Sequence, residues 1–176
     1  MNLSNITIET DRLILAPISS KYEHDIFTEF TPEISKFMPP KPPKKIEETR
    51  NFINDSLEKI ENGTDFNLVI LKKNNFEFLG CASIDDLANK TPELGIWLKK
   101  SAHGNKYGFE VIKELTKWAG EKLNCNELIY LADENNISSK KIAIKMGAKQ
   151  IGFSNKISGL GDKLHMIQYL ISLEKS

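Results

Sequence analysis

Along Glu93 to Leu98 apolar and polar residues alternate: Leu94, Ile96 and Leu98 interleave with Glu93, Gly95 and Trp97, the two-residue period of a strand. Past a polar stretch, Val111, Ile112, Leu115, Trp118 and Ala119 recur on one face at helical spacing, which predicts a long amphipathic helix. Residues 6–16, ITIETDRLILA, predict a strand or a bent pair of strands. Ser19 or Ser20 starts a short helix through Tyr22, Ile26 and Phe27, and Pro32 suits the first position of a second helical piece. Ile46 to Glu61 predicts a helix with the stripe Ile46, Ile53, Leu57 and Ile60, stopped by Asn62-Gly63. Asp65 to Leu71 and Phe76 to Ile84 have strand patterning and join through Lys73-Asn74-Asn75 as a hairpin, with Asp85 to Pro92 a loop. Glu127 to Ala132 predicts a strand, and Asn136 caps a helix carrying Ile142, Ala143 and Met146 and closed by Gly147. Lys149 to Ile157 and His165 to Ser172 are the last strands. The glycines between them, Gly159 and Gly161, mark a hairpin turn, because no helix follows to make a phosphate loop.

This order predicts an α/β (α+β) chain, one domain over residues 1–176, with a mixed sheet and helices on both faces. Met38 to Pro43, MPPKPP, reads as an extended, exposed connector, since its prolines remove donors and fix φ. Lys+Arg and Asp+Glu both number 24, so no general field draws the chain to nucleic acid or membrane. The cysteines, Cys81 and Cys125, and the three histidines lie far apart and match no metal or redox spacing; buried thiols in a reducing compartment are the expectation. The N-terminus lacks a signal peptide's apolar core and no apolar run reaches the length of a membrane span, so a cytoplasmic protein is expected.

The polar stretch HGNKYG, His103 to Gly108, sits where the strand passes into the long helix. Glycines at such a turn let N–H groups converge on an anion, which the helix dipole also attracts; an ordinary strand-to-helix loop is the competing reading. A doubly wound dinucleotide fold would need repeated βαβ units and an acidic residue on a strand end about 20 positions past the glycines; neither appears, which makes a dinucleotide the remote reading.

Five stretches then carry a resemblance: TDRLIL at Thr10–Leu15, IEETRNFI at Ile46–Ile53, ELGIWL at Glu93–Leu98, GNKYGFEV at Gly104–Val111 and NNISSKKIAIKMGA at Asn135–Ala148. In order and spacing they resemble the GCN5-related N-acetyltransferases (GNAT superfamily), and within it the RimJ/RimL-type ribosomal-protein N-terminal acetyltransferases. The resemblance implies a single-domain fold with a mostly antiparallel seven-stranded sheet, and acetyl-CoA as co-substrate. It implies that the backbone of Ile96, Trp97 and Leu98 pairs with the pantetheine arm. By the same comparison Gly104, Asn105, Lys106, Tyr107 and Gly108 bind the pyrophosphate, His103 contacts the loop or phosphate, and Asn136 and Ser139 lie near the pantetheine and the sulfur. The chain departs from the family pattern at His103, where Gln or Arg is usual, and at Lys106, in place of the middle glycine. Ala143 also stands where many relatives carry tyrosine. Lys106 either crowds the site, if its φ is positive, or contacts a phosphate with its ammonium.

Acetyl transfer needs a neutral amine, a donor for the oxyanion and a proton for the departing thiolate. A backbone N–H near Ile96 or Trp97 suits the oxyanion. Glu93 is the candidate base, acting directly or through water, and Ser139 the candidate partner of the thiolate. Against these stand a solvated strand-end glutamate and a first-turn serine bonded to its own backbone. Asp85 and Asp86, near the end of the preceding strand, are the weaker base candidates and read as loop acids. The expectation is an N-acetyltransferase acting on a primary amine, a protein N-terminus or a small molecule, as monomer or homodimer; the alternative is a non-catalytic CoA-binding sensor or scaffold.

Overall fold

Thr10 turns the chain sharply near its start. Its hydroxyl accepts from the backbone N–H of Leu13 at 2.8 Å, and its own N–H donates to the Leu13 carbonyl at 2.9 Å. The apolar run beginning at residue 6 therefore folds back on itself as β1 (Ile8–Glu9) and β2 (Leu13–Pro17). In the computed structural model, which describes residues 2–173, there follow α1 (Glu23–Glu29), α2 (Pro32–Ser35) and α3 (Ile46–Asn62). Next come the strands β3 (Phe66–Lys72), β4 (Phe78–Asp85) and β5 (Glu93–Leu98). The long helix α4 (Tyr107–Lys122), β6 (Glu127–Asp133), α5 (Ile137–Lys145), β7 (Lys149–Ile157) and β8 (Lys163–Ser172) complete the described chain.

The strands form one sheet of eight in the order β1-β2-β3-β4-β5-β6-β8-β7. Every neighbouring pair is antiparallel except β5 with β6. The seven strands implied by resemblance become eight because β1 and β2 are separate, the bent pair that the pattern had left open. Alternation assigns the faces. Phe66 of β3 tilts against Trp118 of α4, with ring centroids 5.1 Å apart, so even-numbered β3 positions and Leu94, Ile96 and Leu98 of β5 face α4. On the other face Trp97 packs on Phe30, which caps α1, and on Phe78, and α1 and α3 pack together over β4 and β3. Helices thus cover both faces, as expected.

Several local expectations needed correction. The buried stripe of α3 is Thr49, Ile53, Ser56 and Ile60, while Leu57 is 37% exposed. Leu57 lies about 100° around the helix from Ser56, which is buried instead. Strand β4 begins at Phe78, since Phe76 takes a positive φ of 58° in the turn, and it ends at Asp85, so Asp85 is a strand residue and not a loop acid. Cys81 is buried, but Cys125 is only half-buried. Gly63, as helix stop, takes φ 68°.

The proline connector lies against the β7–β8 turn, where the Gly159 N–H donates to the Met38 carbonyl at 3.1 Å. A Cβ at Gly159 would come within 2.3 Å of the Pro40 carbonyl oxygen, so only glycine permits this approach. In the same turn the buried Ser158 hydroxyl accepts from the Leu160 and Asp162 N–H groups, which makes it a hairpin turn. Among the described residues no helix is long and apolar enough to cross a membrane.

Candidate functional site

Strands β5 and β6 are parallel neighbours for two residues only, Glu93 opposite Ile129 and Leu94 opposite Tyr130. β5 then runs on to Leu98 and β6 to Asp133 without pairing each other. A wedge opens between them in which the β6-facing backbone of Gly95 to Leu98 has no strand partner among the described residues. Ile96 and Leu98 flank this wedge on the α4 face; a Cβ on Gly108 would meet Leu98 Cδ1 at 3.7 Å and Ile96 Cδ1 at 4.0 Å. The same Cβ would lie 2.9 Å from Ile142 Cδ1 of α5. A side chain at Gly108 would thus push the tip of Ile142 aside, where α4 packs against α5.

Beyond Leu98 a single 3-10 turn, Lys100–Ala102, leads into the start of α4. His103 Nε2 donates to the Leu98 carbonyl at 2.9 Å, and the Asn105 amide donates to the Ala102 and His103 carbonyls. Gly104 takes φ 79°, and Lys106, at the N-cap, sits in the left-handed region at φ 64° with no side chain capping the helix. The backbone thus keeps the shape suited to glycine, at a cost of about 1 kcal/mol for a residue with a Cβ, and the free N–H groups of the first turn remain open to an anion.

Periodicity did not reveal what holds this turn. Thr10 and Arg12, at the bend before β2, both reach Glu110 in the first turn of α4. The Thr10 hydroxyl donates to Glu110, and Arg12 donates to it through Nε at 2.7 Å and its backbone N–H at 3.1 Å, and pairs with it through Nη2 at 2.6 Å. Arg12 Nη2 also donates to the Asn105 carbonyl at 3.1 Å, and the guanidinium lies 4.6 Å from the Tyr107 ring centre. Burial works against the Glu110 carboxylate, yet the hydrogen bonds from Thr10 and Arg12 outweigh it and hold its pKa below the ordinary range. The only sequence signal was that both partners lie in stretches that carry the resemblance.

On the other face Glu93 stands directly across from Asp85, and Gly95 across from Ser83. Ser83 Oγ donates to Asp85 Oδ2 at 3.0 Å, and a Cβ on Gly95 would come within 2.6 Å of that hydroxyl. Burial pushes Asp85 up to about 6, against the Ser83 hydrogen bond. Glu93 is also raised, by burial first, with Lys156 opposing and Asp86 adding to the rise. Asp86 sits at φ 58°, its N–H donating to Asp65, which also accepts from Lys59 at 2.6 Å. Beside the Glu93–Ile129 pair lies a cavity of about 350 Å3, floored by Ile129 and Leu131. Glu93 and Asp86 line one side, and Ser154, Lys156 and Gln168 the other.

At the far end of β6, Asn136 caps α5 by accepting from the Ser139 N–H at 3.2 Å. Beneath it Tyr130 is buried, and burial pushes its phenol up to about 12 against a hydrogen bond with Ser139. Ala143 is fully buried. The expected residues thus fall into three groups around the wedge. His103 to Gly108 form its mouth, Ile96 to Leu98 one wall, and Asn136 and Ser139 sit past the end of the other wall. Glu93 lies on the opposite face from Ile96 and Leu98.

Residues 12–149 match the family model described as an acetyltransferase (GNAT) domain. No curated protein sequence matches the chain. Among solved structures, the chain is similar to RimL, a ribosomal L7/L12 α-N-protein acetyltransferase solved in complex with coenzyme A, at TM-score 0.86 and 16% identity, over 97% of this chain and 100% of that one. It is also similar to the ribosomal-protein-S5-alanine acetyltransferase from Vibrio fischeri, at TM-score 0.83 and 14% identity over 97% and 98%. A third is the microcin C7 self-immunity acetyltransferase in complex with acetyl-CoA and AMP, at TM-score 0.80 and 20% identity over 93% of each chain.

Proposed function

The chain belongs to the acetyltransferase (GNAT) family, whose co-substrate is acetyl-CoA, and from that premise we propose that it transfers the acetyl group to a primary amine by direct attack in a ternary complex. The observation that carries this reading is the parting of β5 and β6 after Leu94, in line with the uncapped start of α4. An extended thioester arm suits the wedge as an added strand on the backbone of Ile96, Trp97 and Leu98. The pyrophosphate suits the N–H groups of Gly104, Asn105, Lys106, Tyr107 and Gly108, with the exposed Lys106 ammonium beside them. His103 and Asn105 support this turn by fastening it to the end of β5 and to itself.

Glu93 takes the role of general base. Its partial burial raises its affinity for a proton, and it lies in the β5–β6 pairing, one residue before Leu94, after which the wedge begins. An unpaired backbone N–H near Ile96 or Trp97 serves the oxyanion. Ser139, held in α5's first turn by the Asn136 cap and backed by Tyr130, serves the departing thiolate; with Ala143 buried, no tyrosine is available at that position of α5. The acceptor is an amine, with the N-terminus of a protein among the candidates by likeness to the RimL-type folds. Calorimetry with acetyl-CoA, followed by transfer to a panel of amines, tests the reading. Absence of binding at millimolar acetyl-CoA overturns it, and binding without turnover on any amine supports a CoA sensor instead.

A further inference from the structure

The cavity beside Glu93 has two chemically different sides. Its acidic side, Glu93 and Asp86, comes from the start of β5 and the loop before it. Its other side comes from β7 and β8, two to three strands away across the sheet, and presents Ser154, Lys156 and Gln168. The Ser154 hydroxyl is buried and has no hydrogen-bond partner among the described residues. A buried hydroxyl left so is costly unless something else occupies it. Lys156 forms no ion pair within 4 Å among the described residues, although it lies close enough to Glu93 to oppose the rise in its pKa. Ser154, Lys156 and the Gln168 amide can all donate hydrogen bonds. Between the two sides the floor is apolar, made by Ile129 and Leu131.

We infer that this cavity receives an amino carboxylate, a small zwitterion whose amine lies toward Glu93 and Asp86 and whose carboxylate is held by Lys156, Ser154 and Gln168. This deepens the acetyltransferase reading and rests on it for the chemistry, while the binding itself does not. An ammonium is drawn to the carboxylates and a carboxylate to the donors opposite, so the cavity fixes orientation as well as charge. A polypeptide N-terminus carries an amide where the free amino acid carries its carboxylate, and it leaves Lys156 without a counter-ion. The two acceptor classes are thereby distinguished by a single group on the ligand.

The test compares α- and ω-amino acids with their own carboxamides and with a short peptide, each measured twice: as acceptors in acetyl transfer, and by calorimetry as ligands of the protein saturated with CoA. The expected result is a preference for the acid over its amide of at least about tenfold in kcat/KM and in affinity. Lys156→Met should collapse that ratio toward one. Because Lys156 also acts on Glu93, the ratio is the readout, since a change in the base affects both acceptors alike. Ser154→Ala, which removes only the unpartnered hydroxyl, should narrow the ratio several-fold. Amides or the peptide serving as well as the acids overturns the inference, as does a Lys156→Met loss equal for acid and amide. If no amine is acetylated, the enzymatic reading fails, and the calorimetric ratio alone decides the cavity's ligand: preference for the acid upholds it and indifference overturns it.

Discussion

Lys106 occupies a conformation for which glycine is the usual residue, at φ 64°. Since the backbone already has that shape, replacing Lys106 with Gly keeps the turn, relieves about 1 kcal/mol of strain and removes the charge. Lys106→Gly should weaken acetyl-CoA binding by about three- to tenfold, the loss of one exposed charge contact, and flatten the salt dependence of the affinity. Tighter binding in calorimetry would show instead that the side chain crowds the ligand. Glu93 gives a second prediction at this scale. Burial raises its pKa, so the basic form is lost as pH falls at a higher pH than for an exposed glutamate, and kcat/KM should show an acidic limb there. Glu93→Gln should lower turnover about a hundredfold, abolish that limb and leave acetyl-CoA affinity unchanged; steady-state kinetics across pH measures all three. Both residues were legible in the sequence as candidates. Their surroundings were not, because the φ of Lys106 and the burial of Glu93 are set by distant segments packing around them.

At the scale of elements, the start of α4 is held by Thr10 and Arg12 through Glu110 rather than by a capping side chain. Glu110→Gln keeps the shape and removes the charge. With Arg12 half exposed, the cost in stability should be about 1 kcal/mol by denaturant titration. Acetyl-CoA affinity should fall several-fold while turnover at saturation holds; an unchanged affinity would show that the turn needs no such support. The strands, helix α4 and the Asn136 cap were readable because each depends on period or on residues within one turn. The Glu110 pairing joins residues 98 to 100 positions apart, more than half the chain, and nothing local signals it. The stripe of α3 failed at Leu57 for a related reason. Two polar residues, Thr49 and Ser56, share the buried face of the helix with Ile53 and Ile60, which apolar spacing cannot anticipate. Nor could the spacing show that a Cβ at Gly108 would also meet Ile142 of α5, a contact between segments distant in the chain.

At the scale of the whole molecule, Asp85 makes folding sensitive to pH. Its pKa rises from 3.8 to about 6, so between these values the folded chain holds more protons than the unfolded one, and stability falls as pH rises through the window. Asp85→Asn should therefore raise the melting temperature at pH 7, by the equivalent of up to about 3 kcal/mol, and give no gain below about pH 4; melting curves at the two pH values decide it. The parting of β5 from β6 has a wider consequence. The sheet amounts to two half-sheets, β1–β5 and β6–β8, joined at a two-residue seam. An extended ligand lying in that seam belongs to the folded state only, and so enters the folding equilibrium as a reagent. At a hundred times its dissociation constant it would add about 2.7 kcal/mol to stability, a sizeable share of what holds a domain together. The lifetime of the protein in a cell would then rise and fall with the supply of the acetyl donor, through mass action on the fold and with no regulatory site.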